Sequence, residues 1–191
     1  IRRVGRSGLA SAIKEGLLNA TGDLAVVMDA DGQHRPKDVL TAVDKIRIEK
    51  LDLVVGSRFL NDAKIRGLSP RRKGGSSIAN SLASFSLSKK YRHLTDYMSG
   101  CIAIDLKTCL PFIYDVDVNG FKFFYELLSV SKGDLRVEEV ALTFQPRLHG
   151  KSKLDISILW DFLISLLHTS CFRLLPRRAI SFALVGSTGV I

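Results

Sequence analysis

Apolar and polar positions change along the first sixty residues in a pattern that predicts helices and strands in turn. Residues 9–20 carry apolar side chains at helical spacing, and turn residues at 21–23 end the pattern. Residues 24–28 form a short continuous apolar run before two acids, which is typical of a buried strand whose carboxyl end meets solvent. A second helical pattern at 36–48 and a second apolar run at 51–59 repeat this order. The order predicts an α/β layer with a parallel sheet.

The later segments continue the alternation. Beyond a stretch typical of a loop, we predict further elements, namely a helix at 78–87, a strand at 99–106, a helix at 121–131 and a strand at 135–146 that Pro146 interrupts. Ligands of such sheets bind beyond the carboxyl ends of the strands. The chemistry is therefore expected after the first two strands, where Asp29, Asp31 and Arg58 lie.

The strongest local signal is Asp29-Ala30-Asp31-Gly32-Gln33, at the end of the first strand. Two carboxylates and an amide oxygen are hard ligands that suit Mg²⁺ or Mn²⁺, and a nucleotide diphosphate would complete the coordination shell. An isolated Asp-x-Asp pair is weak evidence because such pairs are common in solvated turns and helix caps. Its place after a buried strand strengthens the interpretation as a metal site formed by Asp29, Asp31 and Gln33.

A basic stretch over residues 61–77 follows Arg58, with glycines and prolines that predict a bendable loop. Arginine binds phosphate oxygens with two parallel hydrogen bonds, and Ser76 or Ser77 could add a hydroxyl donor. A solvated loop is the simpler interpretation of a charge run. Nucleic acid is another anion, but the stretch has no interleaved aromatic residues and the chain has no recognisable nucleic-acid-binding module.

Two further groups of residues could contribute. Residues 147–154 place fixed cations around Gly150, which suits either a diphosphate or a charged surface. His34, beside the acids, and Glu126, in a predicted helix, are ionisable, although a histidine in a turn is usually solvated and a glutamate on a helix is usually a surface or structural group.

The composition of the chain indicates what kind of partner it binds. The chain of 191 residues has 28 Lys and Arg against 19 Asp and Glu, a formal charge of +9, which favours anionic partners such as phosphates or an acidic membrane face. Its three cysteines have no zinc-ligand or disulfide-framework spacing, which fits a reducing, cytosol-facing compartment. The opening residues lack the hydrophobic run of a signal peptide.

The two C-terminal segments have features typical of segments that contact a membrane. Residues 154–175 mix apolar side chains with charges and Trp160, which predicts a helix in the membrane interface or, equally, one packed on the protein itself. Residues 179–191 are uncharged but shorter than the about 20 needed to cross a bilayer, so they are interpreted as the start of a membrane helix or as a buried helix or strand. Arginines before them favour a catalytic domain on the cytoplasmic face.

In order along the chain, DADGQH, GSRF, the Arg/Lys/Ser loop, DYMSGCIAID, NGFKFFYELL and FQPRLHGKSKL resemble the dolichol-phosphate mannose synthase group of inverting glycosyltransferases, in glycosyltransferase family 2 with the GT-A fold. The resemblance runs from about Arg3 to Leu154, and residues 177–191 resemble the start of a GtrA-like membrane domain. It implies a catalytic domain at 1–154, amphipathic interface helices at 155–176 and a transmembrane domain from 177.

The resemblance also implies residue roles. Asp29, Asp31 and Gln33 would bind the metal, with Asp31 and Arg58 as the catalytic residues. The other implied sets are an acceptor-phosphate site of Arg58, Arg72 and Ser76, a donor site of Asp29, Arg147 and Lys153, and supporting residues Asp96, Ser99 and Glu126.

The GT-A resemblance implies a Rossmann-like α/β fold with a mixed, mainly parallel sheet flanked by helices. Two departures from the family pattern stand out. The family's N-terminal Pro-Thr-Tyr-Asn-Glu-like strand and Asp-Asp-Gly-Ser-like segment are absent here, so we expect this fold to be N-terminally truncated. Tyr97 stands where the group usually has proline.

The predicted activity is metal-dependent transfer of a hexose, with inversion, to the phosphate of a polyprenyl or dolichyl phosphate at a membrane. The donor is expected to be GDP-mannose. The alternatives are UDP-glucose as donor, another acceptor such as a polysaccharide end, or a non-catalytic membrane adaptor that retains only the fold. A phosphate monoester is largely dianionic at neutral pH and needs no general base.

Overall fold

The computed structural model describes residues 8–61, 63–65, 70–118, 122–144, 156–170 and 179–181. Within these ranges, only the backbone is described at 64–65, 70–77, 144 and 156–161.

Helices and strands alternate through most of the described chain. In order, they are α1 (Leu9–Leu18), β1 (Leu24–Val27), α2 (Pro36–Glu49), β2 (Leu53–Ser57), β3 (Lys64–Ile65), α3 (Pro70–Ser86), a 3₁₀ turn (Lys89–Tyr91), β4 (Ile102–Asp105), α4 (Leu106–Asp115), α5 (Phe123–Ser131), β5 (Val137–Ala141), β6 (Thr143–Phe144) and α6 (Ile156–Ser170).

The central sheet has four strands in the order β1-β4-β2-β5. β4 is antiparallel to both β1 and β2, while β2 and β5 are parallel. The sheet is mixed, as predicted. Three of its four strands, β1, β2 and β5, run in the same direction, which agrees with a mainly parallel sheet. Two of the three strand pairings are antiparallel, however, which the prediction did not anticipate. β1 and β2 run in the same direction but are not adjacent, since β4 lies between them and is antiparallel to both.

The register of β4 determines where the sheet's functional edge lies. Val27 at the end of β1 and Val55 near the end of β2 both lie opposite Ile102, the first residue of β4. The carboxyl ends of β1 and β2 and the segment entering β4 therefore meet at one edge. A shorter parallel pair, β3 with β6, lies outside this sheet.

One predicted boundary is wrong. Residues 70–77, assigned to a loop by their charges and glycines, form the first turns of α3, which begins at Pro70 rather than at residue 78. Proline suits the first helical position, where its missing N–H costs nothing. Each glycine inside a helix costs about 1 kcal/mol relative to alanine, an amount that tertiary contacts readily outweigh.

The core has two clusters. The smaller one packs Ala42 and Ile46 of α2 against Val54 of the sheet, and the larger one lies on the opposite face of the sheet. Leu53, Ile104 and Leu127 are fully buried there, and Phe162 and Leu166 of α6 join the same cluster. α6 thus packs on the protein, as one of the two interpretations of residues 154–175 predicted. No helix in the described ranges is both long enough and apolar enough to cross a membrane.

Gly56, near the end of β2, is closely covered by a side chain from beyond β5. A Cβ atom built on Gly56 would stand 2.6 Å from Leu142, whose side chain is buried. The Gly56 amide also donates to the carbonyl of Cys101 at 2.9 Å. The absence of a side chain at 56 allows Leu142 to pack directly on the strand.

Candidate active site

The loop after β1 carries the acid pair. The Gln33 amide donates to Asp31 Oδ1 at 3.1 Å, an Asx turn that fixes the loop, and Gly32 between them adopts φ of 76°, which glycine accepts without steric cost. Gln33 and His34 are each 7% exposed. The predicted ligands therefore belong to an ordered turn at the tip of a strand.

Asp29 lies against the backbone of Gly100, in the segment that enters β4. A Cβ atom on Gly100 would stand 2.5 Å from Asp29 Oδ2, so the carboxylate occupies the space that any larger residue would fill. This close approach places Asp29 on the same edge as the end of β2.

The surroundings of the acid pair also determine the protonation of two neighbouring side chains, His34 and Cys101. Burial lowers the pKa of His34, and this outweighs the opposite effect of Asp29 and Asp31, so His34 is neutral at pH 7. Burial raises the pKa of the Cys101 thiol to about 11, with Asp38 and Asp29 contributing, so this thiol is not a nucleophile at neutral pH.

Arg58, just beyond β2, is held by a buried carboxylate. Its Nε donates to Asp96 Oδ2 at 2.7 Å and its Nη2 to Asp96 Oδ1 at 2.9 Å, while its backbone amide donates to Oδ2 at 3.2 Å. Burial alone would lower the pKa of Arg58, but the bonds and charge of fully buried Asp96 raise it. Two of the five guanidinium N–H donors are used by Asp96, and the cation is fixed in place.

Phe59 and Ser99 complete the setting of Arg58. The guanidinium lies 5.5 Å from the centroid of the Phe59 ring. Ser99, predicted as a supporting residue, donates its hydroxyl to the carbonyl of Gly56 and accepts from the Cys101 amide at 3.1 Å. The hydroxyl thereby ties the segment before β4 to the end of β2.

The acid pair fits a divalent cation. Asp29, Asp31 and Gln33 supply hard oxygen donors, and the glycine at 100 provides a space for the Asp29 carboxylate that a Cβ would close. No three His, Cys, Asp or Glu side chains come together as a metal site in the ranges described above. A set of two carboxylates and an amide is one that depends on substrate phosphates for its remaining ligands.

For most of the other predicted site residues, the structure does not describe the side chain. Arg72 and Ser76 lie in the first two turns of α3, and their side chains are outside the description. Arg147 and Lys153 lie outside the described residues. Glu126 is fully buried in the first turn of α5.

Sequence reasoning missed three residues that shape this site. Gly100 makes room for Asp29, and Thr95 and Glu139 support Asp96 through hydrogen bonds. Glu139 is an acid within a predicted apolar strand, which is a possible signal of a functional residue. Glu138 gives the same signal in the sequence, yet its side chain is half exposed, so the sequence does not distinguish the two.

A substitution at Gly100 tests the space for Asp29. We expect Gly100→Ala to displace the Asp29 carboxylate and weaken Mn²⁺ binding about 10-fold to 100-fold, the usual effect of disturbing what orients a metal ligand. Titration calorimetry with Mn²⁺ and a nucleoside diphosphate measures it. Gly16→Ala is the control, because a Cβ there meets nothing within 4 Å. Equal affinity in both variants would contradict the assignment of Asp29 as a ligand.

Comparison with known proteins identifies related chains. The family described as Glycosyl transferase family 2 matches residues 1–108. Curated relatives named dolichol-phosphate mannosyltransferase include one from Pyrococcus furiosus, 32% identical over all of this chain and 53% of its own length. Those of Saccharomyces cerevisiae and Mycosarcoma maydis are 31% and 30% identical, over 95% and 91% of this chain and 68% and 58% of their own lengths. This chain thus spans about half to two thirds of these relatives.

Solved structures support the fold. Glucosyl-3-phosphoglycerate synthase from Mycobacterium tuberculosis with phosphoglyceric acid has a TM-score of 0.59 at 18% identity, over 88% of this chain and 57% of that one. The same protein with Mn²⁺, UDP and glucosyl-3-phosphoglycerate has a TM-score of 0.58 at 18% identity, over 86% and 56%. At this identity the likeness shows a shared GT-A-like α/β fold.

Proposed function

This chain belongs to Glycosyl transferase family 2, and on that premise we propose that it transfers a hexose from a nucleotide-sugar to the phosphate of a polyprenyl or dolichyl phosphate, with inversion. The observation that carries the proposal is the arrangement at one sheet edge, where a fixed cation, Arg58, lies near the acid pair Asp29 and Asp31. Such a site can bring a metal-bound diphosphate and a second anion together.

The names of the relatives support the acceptor and the sugar. All three curated relatives are called dolichol-phosphate mannosyltransferase, which favours dolichyl phosphate as acceptor and mannose as the transferred hexose. GDP-mannose is the donor that we propose for this sugar. A further complex of the same synthase contains Mn²⁺, UDP-glucose and phosphoglyceric acid, so UDP-glucose is the second donor to test.

The acid pair supplies the metal-dependent part of the mechanism. Asp29, Asp31 and Gln33 would hold Mg²⁺ or Mn²⁺, which acts as a Lewis acid toward the departing nucleoside diphosphate. Arg147 and Lys153 are proposed to bind the same diphosphate. His34 is neutral at pH 7 and adds no charge to the site.

The acceptor side depends on Arg58. Arg58, Arg72 and Ser76 are proposed to bind the lipid phosphate, with Arg58 held in position by Asp96. The second pKa of a phosphate monoester is about 6, so the acceptor attacks the anomeric carbon as a dianion and no side chain needs to remove a proton. The protein's contribution is to align two anions that otherwise repel each other.

The membrane assignment is part of the proposal. Residues 155–176, whose described part packs on the core through Phe162 and Leu166, are proposed to lie at the membrane interface as well, and residues 177–191 to begin a transmembrane domain, with the catalytic domain on the cytoplasmic side. A lipid-linked acceptor requires this proximity to the bilayer.

The test is a transfer assay with the full-length protein in membranes. Radiolabelled GDP-mannose or UDP-glucose is supplied with a short polyprenyl phosphate, and the matched control is the corresponding polyprenol, which lacks the phosphate. We expect labelled lipid only with the phosphate, loss of labelling in EDTA, and an inverted anomeric centre in the product. Labelling of the alcohol, or retention of configuration, would overturn the proposal. A protein that binds neither nucleotide nor Mn²⁺ would instead indicate a non-catalytic adaptor.

A further inference from the structure

Glu139 of β5 sits directly behind the Arg58–Asp96 pair. Its Oε1 accepts hydrogen bonds from the backbone amides of Thr95 at 2.8 Å and Asp96 at 3.0 Å. Its Oε2 accepts from the Thr95 hydroxyl at 2.9 Å, and that hydroxyl lies 2.6 Å from Ser57 Oγ at the end of β2. One carboxylate therefore binds two consecutive residues, Thr95 and Asp96.

The bonds made by Glu139 determine the position of the Asp96 side chain. Asp96 is fully buried, and its two oxygens accept from Arg58 and from the Met98 amide, the latter at 3.2 Å. A small movement of this backbone would separate the carboxylate from the guanidinium, since a pair of parallel hydrogen bonds tolerates little change in distance or angle.

Retaining an acid at this place is energetically unfavourable in itself. Burial raises the pKa of Glu139, and the hydrogen bonds from Thr95 only partly offset this, while the nearby charge of Asp96 adds to it. Removing the carboxylate, however, would leave the backbone amides of Thr95 and Asp96 without their acceptor. The charge of Glu139 is therefore unfavourable, while the position of its oxygen atoms is what the backbone of Thr95 and Asp96 requires.

We propose that Glu139 is a positioning residue for the acceptor-phosphate site, acting through Thr95 and Asp96 on Arg58. The proposal rests on the proposed function, in which Arg58 binds the acceptor phosphate. The required property is one acceptor oxygen at the end of a glutamate-length side chain, placed to receive both backbone amides.

The same segment also holds α3. The Tyr97 amide donates to Asn80 Oδ1 at 3.0 Å, a bond that proline at this position could not make. Asn80 lies one and two helical turns after Ser76 and Arg72, the other residues proposed for the acceptor phosphate. Displacing this segment would therefore disturb the acceptor side through two contacts, and we expect it to affect the acceptor more than the donor.

Two substitutions separate shape from charge. In Glu139→Gln the amide oxygen still accepts from both backbone amides, and the new NH₂ group donates to the Thr95 hydroxyl, which turns toward Ser57. Glu139→Asp keeps the charge but is one methylene shorter and cannot reach all three donors. Glu138→Asp, on the adjacent residue, which is 46% exposed, is the matched control.

The experiment uses the full-length protein and two readouts. We expect Glu139→Asp to raise the KM for polyprenyl phosphate about tenfold or more with little change in the KM for the nucleotide-sugar, and Glu139→Gln and Glu138→Asp to match the wild type. The second readout is the ¹⁵N–¹H resonance of Arg58 Nε, identified by its loss in Arg58→Lys. We expect it to shift only in Glu139→Asp.

The outcomes are decisive in either direction. An unchanged Arg58 resonance and acceptor KM in Glu139→Asp, or a loss in Glu139→Gln equal to that in Glu139→Asp, would overturn the positioning role. The resonance does not depend on turnover. If the wild type transfers no sugar to the lipid phosphate, the proposed function fails, while the resonance still decides whether Glu139 positions Arg58.

Discussion

Replacing Asp31 by asparagine is expected to reduce the transfer rate at saturating substrate by about a thousandfold or more. Asparagine is the same size and its oxygen can still accept from the Gln33 amide, so the turn after β1 should persist. What is lost is a charged ligand, and metal ions contribute several kcal/mol to stabilising developing charge. Each 1.36 kcal/mol corresponds to a factor of ten in rate.

The measurement is the initial rate of lipid labelling across a range of Mg²⁺ concentrations. Asp44→Asn on the exposed face of α2 removes the same charge away from the site and should leave the rate unchanged. A variant at residue 31 that retained more than a tenth of the activity at every Mg²⁺ concentration would remove Asp31 from the list of metal ligands.

Removing the partner of Arg58 is expected to have the second largest effect, on stability and on transfer together. In Asp96→Asn the side chain keeps one oxygen, but its NH₂ group faces a guanidinium that has only donors. Asp96 is fully buried and Arg58 is 20% exposed, so the variant leaves a buried charge without its counterion. Breaking such a pair costs about 3–5 kcal/mol.

We expect the same substitution to lower kcat/KM by about a hundredfold or more, because the cation that aligns the acceptor phosphate is no longer fixed. Denaturant unfolding and the transfer assay measure the two effects. The comparison is Glu49→Gln, which breaks the exposed pair with Lys45 on α2 and should cost about 0.5 kcal/mol or less. If Asp96→Asn proved as mild as Glu49→Gln, Arg58 would not depend on Asp96.

Sequence patterns predicted the part of the site that local rules govern. The apolar runs of β1 and β2 placed Asp29, Asp31 and Arg58 at strand ends, and the structure brings these residues to one edge. The reason is general, since strands that run in the same direction end at the same side of a sheet.

Features that depend on distant contacts were not predicted from the sequence. The insertion of β4 between β1 and β2 is a long-range choice that no local pattern encodes. The early start of α3 was hidden by glycines and charges that signal a loop. Glu139 and Glu138 alternate like any half-exposed strand, and only the position of Thr95 and Asp96 distinguishes them.

The roles of Arg72, Ser76, Arg147 and Lys153 stay predictions. These residues lie in segments whose side chains are outside the description. The Arg58 resonance and the acceptor KM are therefore the most direct way to examine the part of the site that is described.

The packing of Leu142 on Gly56 restricts how this family member can diverge. Any side chain at 56 would overlap Leu142, and the carbonyl and amide of Gly56 are bonded to Ser99 and Cys101 beside the acid pair. A substitution of Gly56 is therefore tolerated only if a smaller residue first replaces Leu142. That replacement by itself would leave a cavity. The two positions should change together or not at all during evolution, so that a glycine without any functional group of its own is under selection from the site it supports.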